Sequence, residues 1–270
     1  MKDLTEKTAV ITGGASGIGL ALAKRLSQEG TRLVLADVDQ KALDAAVEDL
    51  RAEGATVLGV RTDVSDEESV LALAMQARDA FGPVHLLFNN AGVGPGGISW
   101  EVPNNVWNWV IDVNLWGVIH GIRAFVPDMI SQGEGHVINT SSVAGLRGTP
   151  GMGAYAASKH AVIGLSQSLH LDLELAQSDV KVSVLCPGFT QTNMNSSGRN
   201  WSQERYGQAP DSGLDPSHPL TRDNFLARMG QGAMTAADVA ELTVEAIKRD
   251  RFWVLPDPSF ESSIPEALKR

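Results

Sequence analysis

Apolar and polar positions along the chain alternate between two textures: short runs that are almost continuously apolar, and longer stretches with apolar residues every three to four positions. The short runs are TAVIT at 8–12, RLVLA at 32–36, TVLGVR at 56–61, HLLFN at 85–89, HVINT at 136–140 and KVSVLC at 181–186, and RFWVLP starts at Arg251. Strands apolar on both faces are what a parallel sheet covered by helices on both sides requires. The stretches IGLALAKRLSQEG, QKALDAAVEDLRAEG and DEESVLALAMQARDAFG have helical periodicity, and each closes on a glycine, Gly30, Gly54 or Gly82, suited to ending a helix. The alternation predicts an α/β fold with a doubly wound parallel sheet of about seven strands and helices on both faces. No internal repeat or linker separates a second unit, so a single domain over 1–270 is expected.

The pattern breaks at 195–232, which is polar, carries Pro210, Pro216 and Pro219, and lacks sustained periodicity. It is too long for a plain connection in a compact domain. Short irregular helices forming a substrate lid at about 193–233 are expected there.

Composition narrows the function classes. With 43% hydrophobic and 20% charged residues, the 270-residue chain reads as an ordinary globular protein. No apolar run approaches the roughly 20 residues that span a bilayer, and MKDLTEKTAV lacks a signal-peptide core, so a cytoplasmic enzyme is expected. A net charge of -10 without a local Lys/Arg cluster excludes nucleic acid and anionic membranes as expected partners. The lone Cys186 excludes an internal disulfide or a multi-cysteine metal site, the six histidines show no ligand spacing, and no metal is expected. There is also no G-x-S-x-G, the mark of a hydrolase nucleophile elbow.

TGGASGIG at 12–19 follows the first predicted strand and opens the first helix. Glycines there allow a sharp turn and close approach of a pyrophosphate, and a helix N-terminus offers it free N–H groups. The spacing of Gly13, Gly17 and Gly19 departs from G-x-G-x-x-G, and Leu20 stands where a P-loop needs lysine. Asp37, eighteen residues after Gly19, closes the second strand where a carboxylate accepts hydrogen bonds from adenosine ribose hydroxyls. It would repel a 2′-phosphate, and neither Ser16 nor Val38 supplies a cation, so NAD is preferred over NADP. The alternative, Asp37 as an N-cap, is weakened by Asp39, which lies nearer the helix.

One of only two tyrosines, Tyr155, precedes Lys159 by four residues within SSVAGLRGTPGMGAYAASK at 141–159. Positions i and i+4 share a helix face, so the ammonium can lie beside the phenol and make it a better acid. A phenol brought down from its usual pKa of about 10 can take a proton from a substrate hydroxyl while hydride leaves the same carbon.

TGGASGIG, Asp63–Val64, NNAG at 89–92, Asn114 within DVNLWG, the serine pair before AG, YAASK and PGFTQT occur in the order seen in short-chain dehydrogenases/reductases. The chain resembles the compact single-domain branch of that family over about 8–194. The resemblance implies a Rossmann-type fold, with Tyr155 as general acid/base and Lys159 also binding the nicotinamide ribose. It implies that Asn114 bends its helix and holds a water relaying protons from Lys159. Ser142, with Ser141 as competitor, would hydrogen-bond the substrate oxygen. The family spacing to Tyr155 selects Ser142, and an adjacent residue on an extended chain points the other way. Cofactor contacts are expected from Gly13, Ser16, Gly17, Ile18 and Gly19. Asp63 and Val64 resemble an adenine-contacting pair. Asn90 would support the sheet, while Ala91 and Gly92 are small enough to admit adenosine. Pro187, Gly188 and Thr192, assisted by Thr190, resemble the nicotinamide-binding segment. A homotetramer or homodimer is implied as well, with the helix at about 154–176 against its symmetry mate.

The combined expectation is an NAD-dependent oxidoreductase interconverting a secondary alcohol and its ketone. Apolar positions in GVGPGGISW at 92–100, with Leu146, Met152 and Phe189, suggest a hydrophobic, aromatic or alicyclic substrate. Two rival readings are a non-catalytic NAD(H)-binding redox sensor, and an epimerase or lyase using the nicotinamide transiently. The complete Asn114, Ser142, Tyr155 and Lys159 set argues against the first, and the lack of extra substrate-domain sequence against the second.

Overall fold

The computed structural model describes residues 1–209 and 233–264. Its strands are β1 (Thr8–Thr12), β2 (Arg32–Asp37), β3 (Val57–Arg61), β4 (Leu86–Asn89), β5 (His136–Thr140), β6 (Lys181–Leu185) and β7 (Trp253–Val254). All pair in parallel, in the order β3-β2-β1-β4-β5-β6-β7. After β3 the chain crosses to the other side of β1, so β1 and β4 mark a topological switch. A crevice opens beyond the carboxyl ends of strands at such a point.

The helices are α1 (Gly17–Ser27), α2 (Gln40–Ala52), α3 (Glu67–Phe81), α4 (Asn104–Ile111), α5 (Gly117–Gln132), α6 (Gly153–Leu175), α7 (Gln203–Tyr206) and α8 (Ala236–Lys248). Side chains alternate across each strand, so Ala9, Ile11, Leu33 and Leu35 meet α1, α2 and α8 on one face. Val10, Val34, Leu87 and Val137 meet α3, α5 and α6 on the other. Both layers are buried, which accounts for strands that read as unbroken apolar runs. The predicted stops Gly30, Gly54 and Gly82 all adopt positive φ, at 75°, 89° and 74°.

Three details depart from the sequence pattern. The last strand shrinks to two residues, with Pro256 following at the sheet edge. Between α4 and α5 the helix widens into a π turn over Asp112–Trp116. Of the expected lid, 193–209 forms a 3-10 segment (Asn193–Asn200) and the short α7, while 210–232 lies outside the described residues. Among the described residues no helix is long and apolar enough to cross a membrane, and no cluster of His, Cys, Asp and Glu could hold a metal.

Candidate active site

The site is built at the carboxyl edge. After Thr12 the chain turns through Gly13 (φ 64°) and Gly17 (φ 53°) into α1. A Cβ on Gly13 would stand 2.9 Å from the Ala91 Cα, too close to fit. Ser16 is the N-cap of α1 but its hydroxyl makes no capping bond. The first-turn N–H groups thus keep no side-chain partner there, at the positive end of the helix dipole. Gly17 and Gly19 do not line the cleft as the sequence had suggested. A Cβ on Gly17 would press on the Thr192 side chain at 3.2 Å, and one on Gly19 would collide with the Gly13 carbonyl. Both serve the close packing of the turn.

Asp37 sits at the end of β2 facing the cleft. Its Oδ2 accepts from the Ala15 N–H at 3.1 Å and its Oδ1 from the Asp39 N–H at 3.1 Å. Burial raises its pKa, partly offset by those two backbone bonds. Asp39 caps α2 through the Ala42 N–H, which removes the N-cap role considered for Asp37. Asp63 Oδ1 accepts from the backbone and hydroxyl of Ser65 at 2.9 and 2.6 Å.

Thr12, which drew no notice in the sequence, organises the end of β4. Its hydroxyl donates to the Phe88 carbonyl at 3.2 Å and accepts from the N–H groups of Asn90 and Ala91 at 2.9 and 3.1 Å. Asn90 returns a bond from Nδ2 to the Thr12 carbonyl at 3.0 Å, tying β4 to β1 as expected.

Tyr155 lies in the first turn of α6, with Lys159 one turn on. The Lys159 Nζ donates to the Thr140 carbonyl at the end of β5 at 2.8 Å, and lies 5.6 Å from the Tyr155 ring centre. Burial pushes the lysine down to about 8. Burial also raises the tyrosine, with a hydrogen bond from Ser142 acting in the opposite direction. The expectation of a lowered phenol is therefore not met by the protein alone, because desolvation outweighs the Ser142 bond. Ser142 faces the cleft, accepting from the Ala144 N–H at 3.1 Å. Ser141, which also lines the cleft, donates to the Lys159 carbonyl at 2.8 Å. Cys186 is buried and pushed up to about 12, an inert thiol.

Asn114, fully buried in the π turn, does not line the cleft. Its Oδ1 accepts from the Val93 N–H at 2.8 Å, and its Nδ2 donates to the Val93 carbonyl at 2.9 Å and to Ser158 Oγ at 3.1 Å. Ser158 in turn donates to the Tyr155 carbonyl at 2.7 Å. The amide is thus a positioning group that pins the chain after β4 to the first turn of α6. The sequence motif points to Asn114 but carries no signal for Ser158.

Among the described residues these elements enclose a cleft of about 340 Å³. Gly13, Ser16, Ile18, Asp37, Asp63, Val64, Asn90, Ala91, Gly92, Ser142, Tyr155, Lys159, Pro187, Gly188, Thr190 and Thr192 all line it. Val93, Gly94, Met152, Phe189 and Met194 continue the wall, as do Trp109 and Tyr206, which the sequence had not pointed to. Trp109 meets Trp201 edge-on with ring centres 5.1 Å apart. Leu146, expected at the rim, packs instead with Ile163, Val184 and Cys186, and Trp100 is 83% exposed outside the wall. The 193–209 segment is fastened to the cleft: Gly94 N–H donates to Ser197 Oγ at 3.3 Å and the Tyr206 hydroxyl to Asp112 at 3.1 Å.

A family model described as short chain dehydrogenase matches residues 7–203. The chain belongs to the short-chain dehydrogenase/reductase family. A family member from Burkholderia phymatum, solved in complex with NAD, superposes with a TM-score of 0.87 at 47% identity, covering 97% of this chain and 93% of that one. The 1-deoxy-11-beta-hydroxypentalenate dehydrogenase of Streptomyces avermitilis is 37% identical, over 97% of this chain and 88% of its own length. A CLA biosynthesis dehydrogenase/reductase from Lactiplantibacillus plantarum is 33% identical, over 100% and 94%. The protein is accordingly a short-chain oxidoreductase with a Rossmann fold, of a family that acts on alcohol and ketone groups with a nicotinamide cofactor.

Proposed function

We propose that the protein interconverts a secondary alcohol and its ketone with NAD, using Tyr155 as the general acid/base. The observation that carries this reading is that a single cleft presents Tyr155, Ser142 and Lys159 at one end and Asp37 with the uncapped start of α1 at the other. The residues fit a dinucleotide: the Gly13 turn leaves no room for a side chain, the α1 terminus suits a pyrophosphate, and the Asp37 carboxylate suits ribose hydroxyls. Asp37 favours NAD over NADP, since a 2′-phosphate would meet a half-buried carboxylate. Asp63 and Val64 would flank the adenine, and Pro187, Gly188, Thr190 and Thr192 the nicotinamide. When bound, the cofactor supplies the hydride acceptor and, oxidised, a positive charge.

In oxidation the Tyr155 oxygen takes the hydroxyl proton of the substrate, and in reduction it returns it. Ser142 donates a hydrogen bond to the substrate oxygen, where charge develops. Lys159 keeps its ammonium one turn below the phenol, anchored on the Thr140 carbonyl with two N–H donors left for a ribose. Because burial raises the phenol, proton abstraction needs a cation close by, and oxidation is expected to accelerate with rising pH up to about 8, where Lys159 begins to shed its proton. The apolar wall suits a hydrophobic, aromatic or alicyclic substrate, with 193–209 acting as part of a lid. A cytoplasmic homotetramer or homodimer fits Leu171 and Leu175, exposed on α6.

The test is NADH formation over a panel of cyclic and aryl secondary alcohols, with NAD⁺ and NADP⁺ in parallel, for the wild type and Tyr155→Phe. A loss of at least ~100-fold in kcat on removing the phenol is expected. Binding of NADH without turnover of any alcohol or ketone would favour a redox sensor, and isomerisation without net NADH an epimerase.

A further inference from the structure

We infer that Arg147 selects substrates that carry a carboxylate beside the reacting carbon skeleton, an inference that rests on the alcohol–ketone reading above. Arg147 follows the 3-10 turn Val143–Gly145 and lines the cleft wall beyond Ser142, among otherwise uncharged neighbours such as Met152 and Phe189. Its guanidinium lies 4.6 Å from the ring centre of Phe260. Phe260 belongs to the turn Pro258–Ser263, which lies against Gly188 at the nicotinamide end. Contact with a ring face holds the guanidinium in place while leaving its N–H donors free.

Among the described residues, no carboxylate pairs with Arg147. Asp257, on the neighbouring turn, accepts from the Ser259 N–H instead. The other cations on the wall are engaged: Lys159 by the Thr140 carbonyl, Arg199 by Asn193 and Ser196. The wall's carboxylates, Asp37 and Asp63, belong to the adenosine end. Among the described residues, an anion entering at the substrate end therefore meets one cation held on a ring and no carboxylate on the wall, Asp257 lying behind Gly188, in a protein whose net charge of -10 repels anions elsewhere. The planar fork of Arg matches the two oxygens of a carboxylate. Arg147 is exposed, so its attraction is screened and a preference of roughly tenfold is expected rather than an absolute requirement.

The probes are 4-oxocyclohexanecarboxylate and its methyl ester, each offered to the NADH complex of the wild type, Arg147→Gln and Arg147→Lys. Arg123→Gln is the control, a remote surface arginine paired with Glu67. The acid is expected to exceed the ester about tenfold in kcat/KM for the wild type and for Arg123→Gln. Arg147→Gln should bring that ratio to about one through the KM of the acid, Arg147→Lys should keep part of it, and added salt should erode it. An acid-to-ester ratio of one or less in the wild type, or an unchanged ratio in Arg147→Gln, overturns the inference. Calorimetric binding of both probes to the NADH complex gives the same ratio without turnover. If neither ketone is reduced, the calorimetric ratio alone decides the role of Arg147, and the reaction class is judged on the alcohol panel above.

Discussion

Replacing Lys159 by methionine is expected to stabilise the protein while abolishing its turnover. The lysine is 2% exposed, and its ammonium has one protein acceptor, the Thr140 carbonyl at 2.8 Å. Burial pushes it from 10.5 to about 8, a gap worth about 3 kcal/mol against the charged form in the folded state. Methionine removes that cost and fills the same space, but gives up one hydrogen bond, worth roughly 1 kcal/mol. The net gain expected near pH 7 is therefore about 2 kcal/mol. Below about pH 8 the lysine is protonated in both folded and unfolded chains and the cost is complete. Between about 8 and 10.5 the folded chain sheds its proton first, the wild type gains stability as pH rises, and the difference between the two proteins closes. Urea denaturation midpoints of both proteins without cofactor, at pH 7 and about pH 9.5, measure this, with NADH formation followed in parallel. A variant less stable than the wild type at pH 7, or a gap that does not change with pH, would refute the reasoning. The expected outcome is a group kept for chemistry at the expense of stability.

Three further outcomes are expected. Asn114→Ala leaves the buried Val93 N–H and carbonyl without partners, which should cost roughly 2–4 kcal/mol in thermal or chemical denaturation and lower kcat more than it raises KM for alcohol. His136 is buried beside Ser183 and pushed down from 6.5 to about 3, so the folded chain refuses a proton that the unfolded chain accepts. Its share of stability is intact above pH 6.5 and is lost by about 1.4 kcal/mol per pH unit as pH falls toward 3; a stability–pH profile of His136→Gln should be flatter over that window. Asp37→Ser should raise the kcat/KM ratio of NADP⁺ to NAD⁺ at least about tenfold, since it removes the charge that would face a 2′-phosphate; an unchanged ratio in initial-rate assays would remove the assigned role.

Elements and motifs that depend on neighbours in sequence were legible from the chain alone. A strand covered on both faces needs an unbroken apolar run, so all seven strands could be located, six with ends within a residue and the last cut to two residues at the sheet edge. The alternation at Ser141 and Ser142 follows from the geometry of an extended chain, which is why one faces Tyr155 and the other Lys159. What only tertiary structure decided was set by groups far apart in sequence. Asn114 became a clamp because Val93 and Ser158 converge on it, and Gly19 became a packing residue because the Gly13 carbonyl lies over it. Arg147 meets Phe260 and Trp109 meets Trp201 only after the sheet brings distant loops to one edge. The Tyr155 phenol moved opposite to expectation for the same reason. The i+4 spacing reports how near a charge lies, whereas the cost of desolvating the phenol depends on everything that surrounds it once the chain has folded.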